Sequence, residues 1–132
     1  MATNPQPLSM DLASSGRNAF DPISLLERVS GDRELLHELV DLFAQECPAM
    51  LSDIESAVKE GNASALQRAS HKMKGSVLQF SAARAGAIAG ALEVMGKTGS
   101  LTGAAQDYLK LRAEIAVLLK GLKLLVSEDA VS

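Results

Sequence analysis

The apolar residues of this chain fall three and four apart along almost its whole length, and nowhere do they alternate one by one. An α-helix turns about 100° per residue, so that spacing gathers them onto single helix faces and leaves no candidate strand. Aromatic residues make up only 3% of the chain, with no Trp. A core built from Leu, Ala, Val, Ile and Met suits helix-on-helix packing better than a sandwich.

The stop signals divide the pattern into segments. Asp21 is a good N-cap, followed by Pro22 at the first helical position. The short helix after it carries Ile23, Leu26 and Val29 and stops at Ser30-Gly31. Asp32 caps the next, with Leu35, Leu36, Leu39, Val40 and Phe43 on one face. Pro48 interrupts the backbone ladder, but the pattern resumes at Met50, Leu51, Ile54, Ala57 and Val58. This predicts one long helix kinked near Pro48 and ending before Gly61, with two helices as the alternative. Asn62 caps a third helix through about Phe80. Ser81 is expected to cap a fourth, rich in Ala and Gly, ending near Lys97 to Gly99. Thr102 is expected to cap the last, which carries Leu109, Ala116, Leu119 and Leu122 and fades after Val126.

Short connections make sequential helices antiparallel neighbours. The expected fold is all-α: an antiparallel up-down four-helix bundle with a short extra N-terminal helix. Residues 1–18, rich in Pro, Ser, Asn, Ala and Gly, read as a flexible tail or linker. The bundle is expected over 19–127, and 128–132 as a disordered C-terminus.

Composition narrows the function classes. A chain of 132 residues fits one domain. A net charge of −3 argues against nucleic-acid binding through bulk charge. Cys47 is alone, so no internal disulfide forms and a reducing compartment is expected; the residue itself reads as a small apolar side chain. The most apolar stretch, Ile115 to Val126, is broken by Lys120 and Lys123 and is too short to span a bilayer, so no membrane insertion is expected. The N-terminal region has no basic stretch leading into an apolar run. The expected location is the cytoplasm.

The segment Ala69-Ser70-His71-Lys72-Met73-Lys74-Gly75-Ser76 stands out within this frame. Leu66, Ala69, Met73, Val77 and Phe80 form one helical stripe, the expected core face. His71 projects nearly opposite it, with Ser64, Gln67, Arg68, Lys74, Gly75 and Leu78. An exposed histidine is ordinarily just solvated, but these neighbours change that expectation. Gly75 costs a helix about 1 kcal/mol relative to Ala, and lets another backbone or a phosphate come close. Lys74 and Arg68, one turn to either side, supply positive charge, while Lys72 projects sideways. Leu78 offers apolar contact to a partner. Neutral imidazole is a good nucleophile near pH 7, and attack on phosphorus gives a labile phosphoramidate. The cations would lessen repulsion between phosphoryl and attacking group.

His71-Lys72-Met73-Lys74-Gly75-Ser76 resembles the His-x-x-Lys-Gly-Ser core of histidine-containing phosphotransfer (HPt) domains. Asp32-Arg33-Glu34-Leu35-Leu36, through Leu42-Phe43 to Cys47-Pro48, looks like the family's second helix, and Phe20-Asp21 is similar to its usual lead-in. The resemblance runs from about Phe20 to Leu125. It implies a phosphorelay role between the aspartates of response-regulator receiver domains, fed by a sensor or hybrid histidine kinase. His71 would carry the phosphoryl group on Nε2, Lys74 would stabilise it, and Gly75 would give access. Ser64, Gln67, Arg68, Lys72 and Leu78 would form the partner surface. The resemblance implies a monomer with no cofactor of its own, Mg²⁺ coming from the partner receiver. The family often has Gly-Ala ten and eleven residues after its histidine, where this chain has Ser81-Ala82. Glu93 lies where the family often places Gln or Glu near the active face.

The remaining features read plainly. His37, among Glu34, Glu38 and Asp41, is expected to be a solvated surface residue. Ala82, Gly86, Ala89 and Gly90 let the fourth helix pack close to the third. No residues have metal-ligand spacing, and no P-loop or kinase glycine motif is present, so a carrier without its own nucleotide site is expected. Two alternatives remain: a docking bundle that never carries phosphate, and a module served directly by a kinase ATP-binding domain.

Overall fold

A computed structural model describes residues 19–131; the expected tail at 1–18 lies outside them, as do the side chains of 128–132. Among the described residues the chain is all-helical, with five helices and no strand: α1 Pro22–Arg28, α2 Arg33–Glu60, α3 Ala63–Leu78, α4 Ala83–Thr98 and α5 Ala104–Val131. α3 and α4 make the most extensive contact, and α2 packs on α3 and α5, with α4 on α5. No helix among the described residues is long and apolar enough to cross a membrane.

Local chemistry sets the first three helix starts. The Asp21 carboxylate accepts from the Ile23 and Ser24 amides at 3.1 and 3.2 Å. Asp32 accepts from Leu35 N–H at 2.9 Å, and Asn62 from Ala65 N–H at 3.0 Å. Each side chain satisfies an amide that its helix leaves unpaired. α2 runs through Pro48 as one helix.

Two expected caps are corrected. Ser81 does not cap α4: the cap position is Ala82, with no side-chain bond. Ser81 instead sits in the left-handed region with φ 57°, ending α3. Its hydroxyl accepts from Arg28 Nε at 3.2 Å and donates to Ser24 Oγ at 3.0 Å, while its carbonyl accepts from Asp21 N–H at 3.2 Å. The residue therefore ties α1 to the α3–α4 turn. Thr102 does not start the last helix, because Gly103, at φ 85°, precedes its first residue Ala104.

The core follows the expected stripe on α2 and α3, except that Leu35, at the edge of the α2 stripe, is exposed. Leu36, Val40, Phe43, Met50, Ile54 and Ala57 are buried from α2, and Leu66, Met73 and Val77 from α3. The Phe43 and Phe80 rings pack with centroids 5.0 Å apart. Buried Cys47 behaves as a small apolar residue, its thiol pushed up to about 11 by desolvation. Elsewhere the helix phase differs from expectation. Around α1 Leu25 is buried and Ile23 is 72% exposed, while the expected Val29 is buried and Leu26 packs on the core. In α5 Leu122 is buried as expected, but its buried companions are Tyr108, Leu111, Ile115 and Leu118, while Leu109 and Ala116 face out. Apolar residues lie on several sides of α5, so sequence spacing alone does not select its inner face. The helix also continues past Val126 to Val131.

Candidate functional site

Small residues on α4 bring it unusually close to α3. A Cβ added at Gly96 would stand 2.5 Å from the Gln67 amide nitrogen and 2.6 Å from the Ala63 carbonyl oxygen. Gly86 receives the Leu78 side chain, and a Cβ at Gly90 would lie 3.5 Å from Lys74 Cδ. Gly86, Gly90, Ala82 and Ala89 are thus the small residues the sequence singles out, but the tightest, Gly96, is not among them. It stands just before the stop signals at Lys97–Gly99, which mask its packing role.

That close approach sets α4 side chains against His71. Its imidazole is 69% exposed, yet Nδ1 lies 2.8 Å from Glu93 Oε2. Lys74 Nζ lies 2.6 Å from the other oxygen, Oε1. The Lys74 ammonium bonded to it holds the Glu93 carboxyl below the usual carboxylate range; burial opposes this shift, and the His71 bond adds to it. An ionised carboxylate can only accept. Nδ1 is therefore the donor to Glu93, and in the neutral ring that tautomer leaves the lone pair on Nε2. A helical side chain leans over the turn before it, and His71 shares a shallow depression with Gln67, Arg68 and Glu93.

The other sequence-singled residues divide between two sides of α3. Lys74 is half-buried and paired, not the solvent-directed cation the helix projection suggested. Gly75 is exposed, and a Cβ there would meet nothing within 4 Å, the His71 ring included. Its openness is available to an outside body and is not used internally. Arg68 donates from Nη1 to Ser64 Oγ at 2.6 Å. Lys72 lines a different depression, toward α2, with Asp53, Ser56 and Glu60. Leu78 is 41% exposed as it leans over Gly86. Ser76, the last residue of the motif, turns toward α2 and donates to Met50 Sδ at 3.6 Å.

The Hpt domain family model matches residues 38–121, more than half of the chain. The chain belongs to the Hpt domain family. No curated protein and no solved structure matches it. Hpt domains serve histidine phosphotransfer in phosphorelays; they are phosphocarriers rather than enzymes and interact with response regulators and kinases. The Hpt match begins inside α2 and ends inside α5, so it encloses α3, α4 and the whole His71–Glu93–Lys74 cluster. Within this Hpt chain the second histidine stands apart: His37 Nδ1 lies 3.4 Å from Asp41 on its own helix, both side chains at least half exposed. The glycine frequent in Hpt sequences falls at Ser81, whose left-handed backbone explains the preference, since glycine adopts it without steric cost.

Two features escape sequence reasoning. Ser70 is fully buried, and its Oγ has no hydrogen-bond partner. The His71–Glu93 contact joins residues 22 apart, a separation that no helical spacing rule connects.

Proposed function

We propose that His71 is the phosphorylated residue and that the chain carries a phosphoryl group between aspartates of receiver domains. The observation that carries this reading is the exposed imidazole whose Nδ1 is held by Glu93 at 2.8 Å. The Nε2 lone pair attacks the phosphorus of an aspartyl phosphate. The P–O bond breaks, its electron pair returns to the aspartate carboxylate, and an N–P bond forms. The Nδ1 proton stays in its hydrogen bond to Glu93 throughout. Onward transfer reverses these steps at a second receiver. Lys74, on the same carboxylate, keeps a positive charge beside the ring, and Gly75 leaves room for the partner's backbone.

The rest of the reading follows from that role. Receiver domains donate and accept, a sensor or hybrid kinase feeds the relay, and the partner receiver supplies Mg²⁺. The carrier has no nucleotide site of its own and acts as a cytoplasmic monomer. Its unit is residues 19–127, with α2 to α5 as an antiparallel up-down bundle presenting α3 outward. Incubation with a phosphorylated receiver and Mg²⁺ should move label to His71 as an acid-labile, base-stable adduct. Equal labelling of a His71→Gln variant would sink the proposal.

A further inference from the structure

Lys74 keeps its charge but is already paired with a carboxylate in the resting site. Its ammonium sits 2.6 Å from Glu93, and the same carboxylate holds His71 Nδ1, so the pair offers an incoming dianion little net charge. Arg68 is placed differently. It is exposed, and among the described residues its hydrogen bond goes to the neutral Ser64 hydroxyl at 2.6 Å. Among the described residues it makes no ion pair. The guanidinium carries five donors in a planar fork that matches phosphate oxygens. Arg68 borders both the depression toward α2, with Asp53 and Glu60, and the one that holds His71, whereas Lys72, the other nearby cation, borders only the first.

Position favours Arg68 as well. The His71 ring leans toward the turn holding Gln67 and Arg68, with which it lines one depression, and away from Gly75. A phosphoryl group on Nε2 emerges from a ring standing over that turn. Gln67 adds an amide donor there, and its own position is fixed by the close packing of Gly96 on its backbone.

We propose that Arg68, aided by Gln67 and positioned by Ser64, binds the phosphoryl oxygens on His71, while Lys74 acts mainly by holding Glu93. This rests on the carrier reading, and the test separates the two. Phosphoramidate, a small donor, removes partner docking from the measurement: Nε2 attacks phosphorus, the donor's P–N bond breaks, and ammonia leaves with a proton from water. Wild type should be labelled at His71. Arg68→Ala should label about tenfold more slowly, less than the roughly hundred-fold effect of an enclosed oxyanion donor. Arg68→Lys should recover part of the rate, and Lys74→Ala should slow it less than Arg68→Ala. A phosphorus NMR titration of the labelled protein should show the phosphoryl group holding its last proton to higher pH in Arg68→Ala. A purely structural arginine would leave that titration unmoved. Wild-type rate and titration in Arg68→Ala, or a larger loss in Lys74→Ala, would overturn the assignment while leaving the carrier reading in place. Folded wild type that takes no label at His71 would overturn both.

Discussion

Gly96 and Gly75 lie on the two packed helices, α4 and α3, and do opposite things. Gly96, on α4, is jammed against α3 backbone, whereas Gly75, on α3, faces open space. The first is required by the protein's own packing. The second satisfies nothing inside the chain, yet carries the helix-propensity cost of glycine. One glycine therefore builds the site and the other leaves it open, and substitutions should separate the two roles.

The largest effect is expected at Gly96→Ala. The new methyl would overlap the Gln67 nitrogen and Ala63 oxygen, and backbone atoms cannot rotate away. Overpacking of this kind costs about 3 kcal/mol, at the upper end of the usual range. It should also push α4 away from α3 and lengthen the His71–Glu93 contact. Urea unfolding measures the first effect and histidine nitrogen NMR the second. A variant as stable as wild type would show that the two helices are not locked there.

Gly75→Ala should behave in the opposite way. Stability should rise by about 1 kcal/mol, because alanine favours the helix and no atom obstructs it. Transfer from a phosphorylated receiver should fall, while labelling by phosphoramidate stays near wild type. A loss of stability would contradict the open geometry, and unchanged receiver transfer would remove the access role.

Acid tests the same helix pair through charge. Glu93 has its folded-state pKa lowered from 4.5, first by the Lys74 hydrogen bond. A carboxyl lowered on folding stabilises the native state above its unfolded pKa, and that stability is lost as pH falls through the folded value. Wild type should therefore exceed Glu93→Gln in stability at neutral pH, with a constant gap down to about 4.5 that closes below. A gap that persists in stronger acid would mean that packing, and not the ion pair, sets the difference.

The contrast between Gly75 and Gly96 also marks what a sequence can disclose. α2 and α3 each carry one dominant apolar face, with Leu35, Leu42 and Leu78 outside it, so their phase and His71's exposure are legible from spacing. α4 and α5 are apolar on several sides; hence Leu109 reads as core when Leu111 takes that place. Gly75 is conspicuous because a surface helix has no ordinary use for glycine, whereas Gly96 hides beside a helix stop. Glu93 is suggested only through the family resemblance. Its contact to His71 depends on how closely two helices meet, a distance that packing decides and residue spacing does not encode.

The smallest expected effect separates a third kind of position, where glycine is absent but the backbone asks for it. Ser81 adopts φ 57°, and left-handed geometry costs a non-glycine residue about 1 kcal/mol. Its hydroxyl offsets part of that by bonding Arg28 and Ser24. Ser81→Ala keeps the strain and loses both bonds, so it should destabilise by about 1 kcal/mol. Ser81→Gly loses the same bonds but relieves the strain, so it should fall within a few tenths of wild type. The comparison is between the two variants, each lacking the hydroxyl, so their difference isolates the backbone. If alanine proves as stable as glycine here, the left-handed turn is not what the family's glycine serves, and the α1 contact from the Asp21 amide to the residue 81 carbonyl holds the turn on its own.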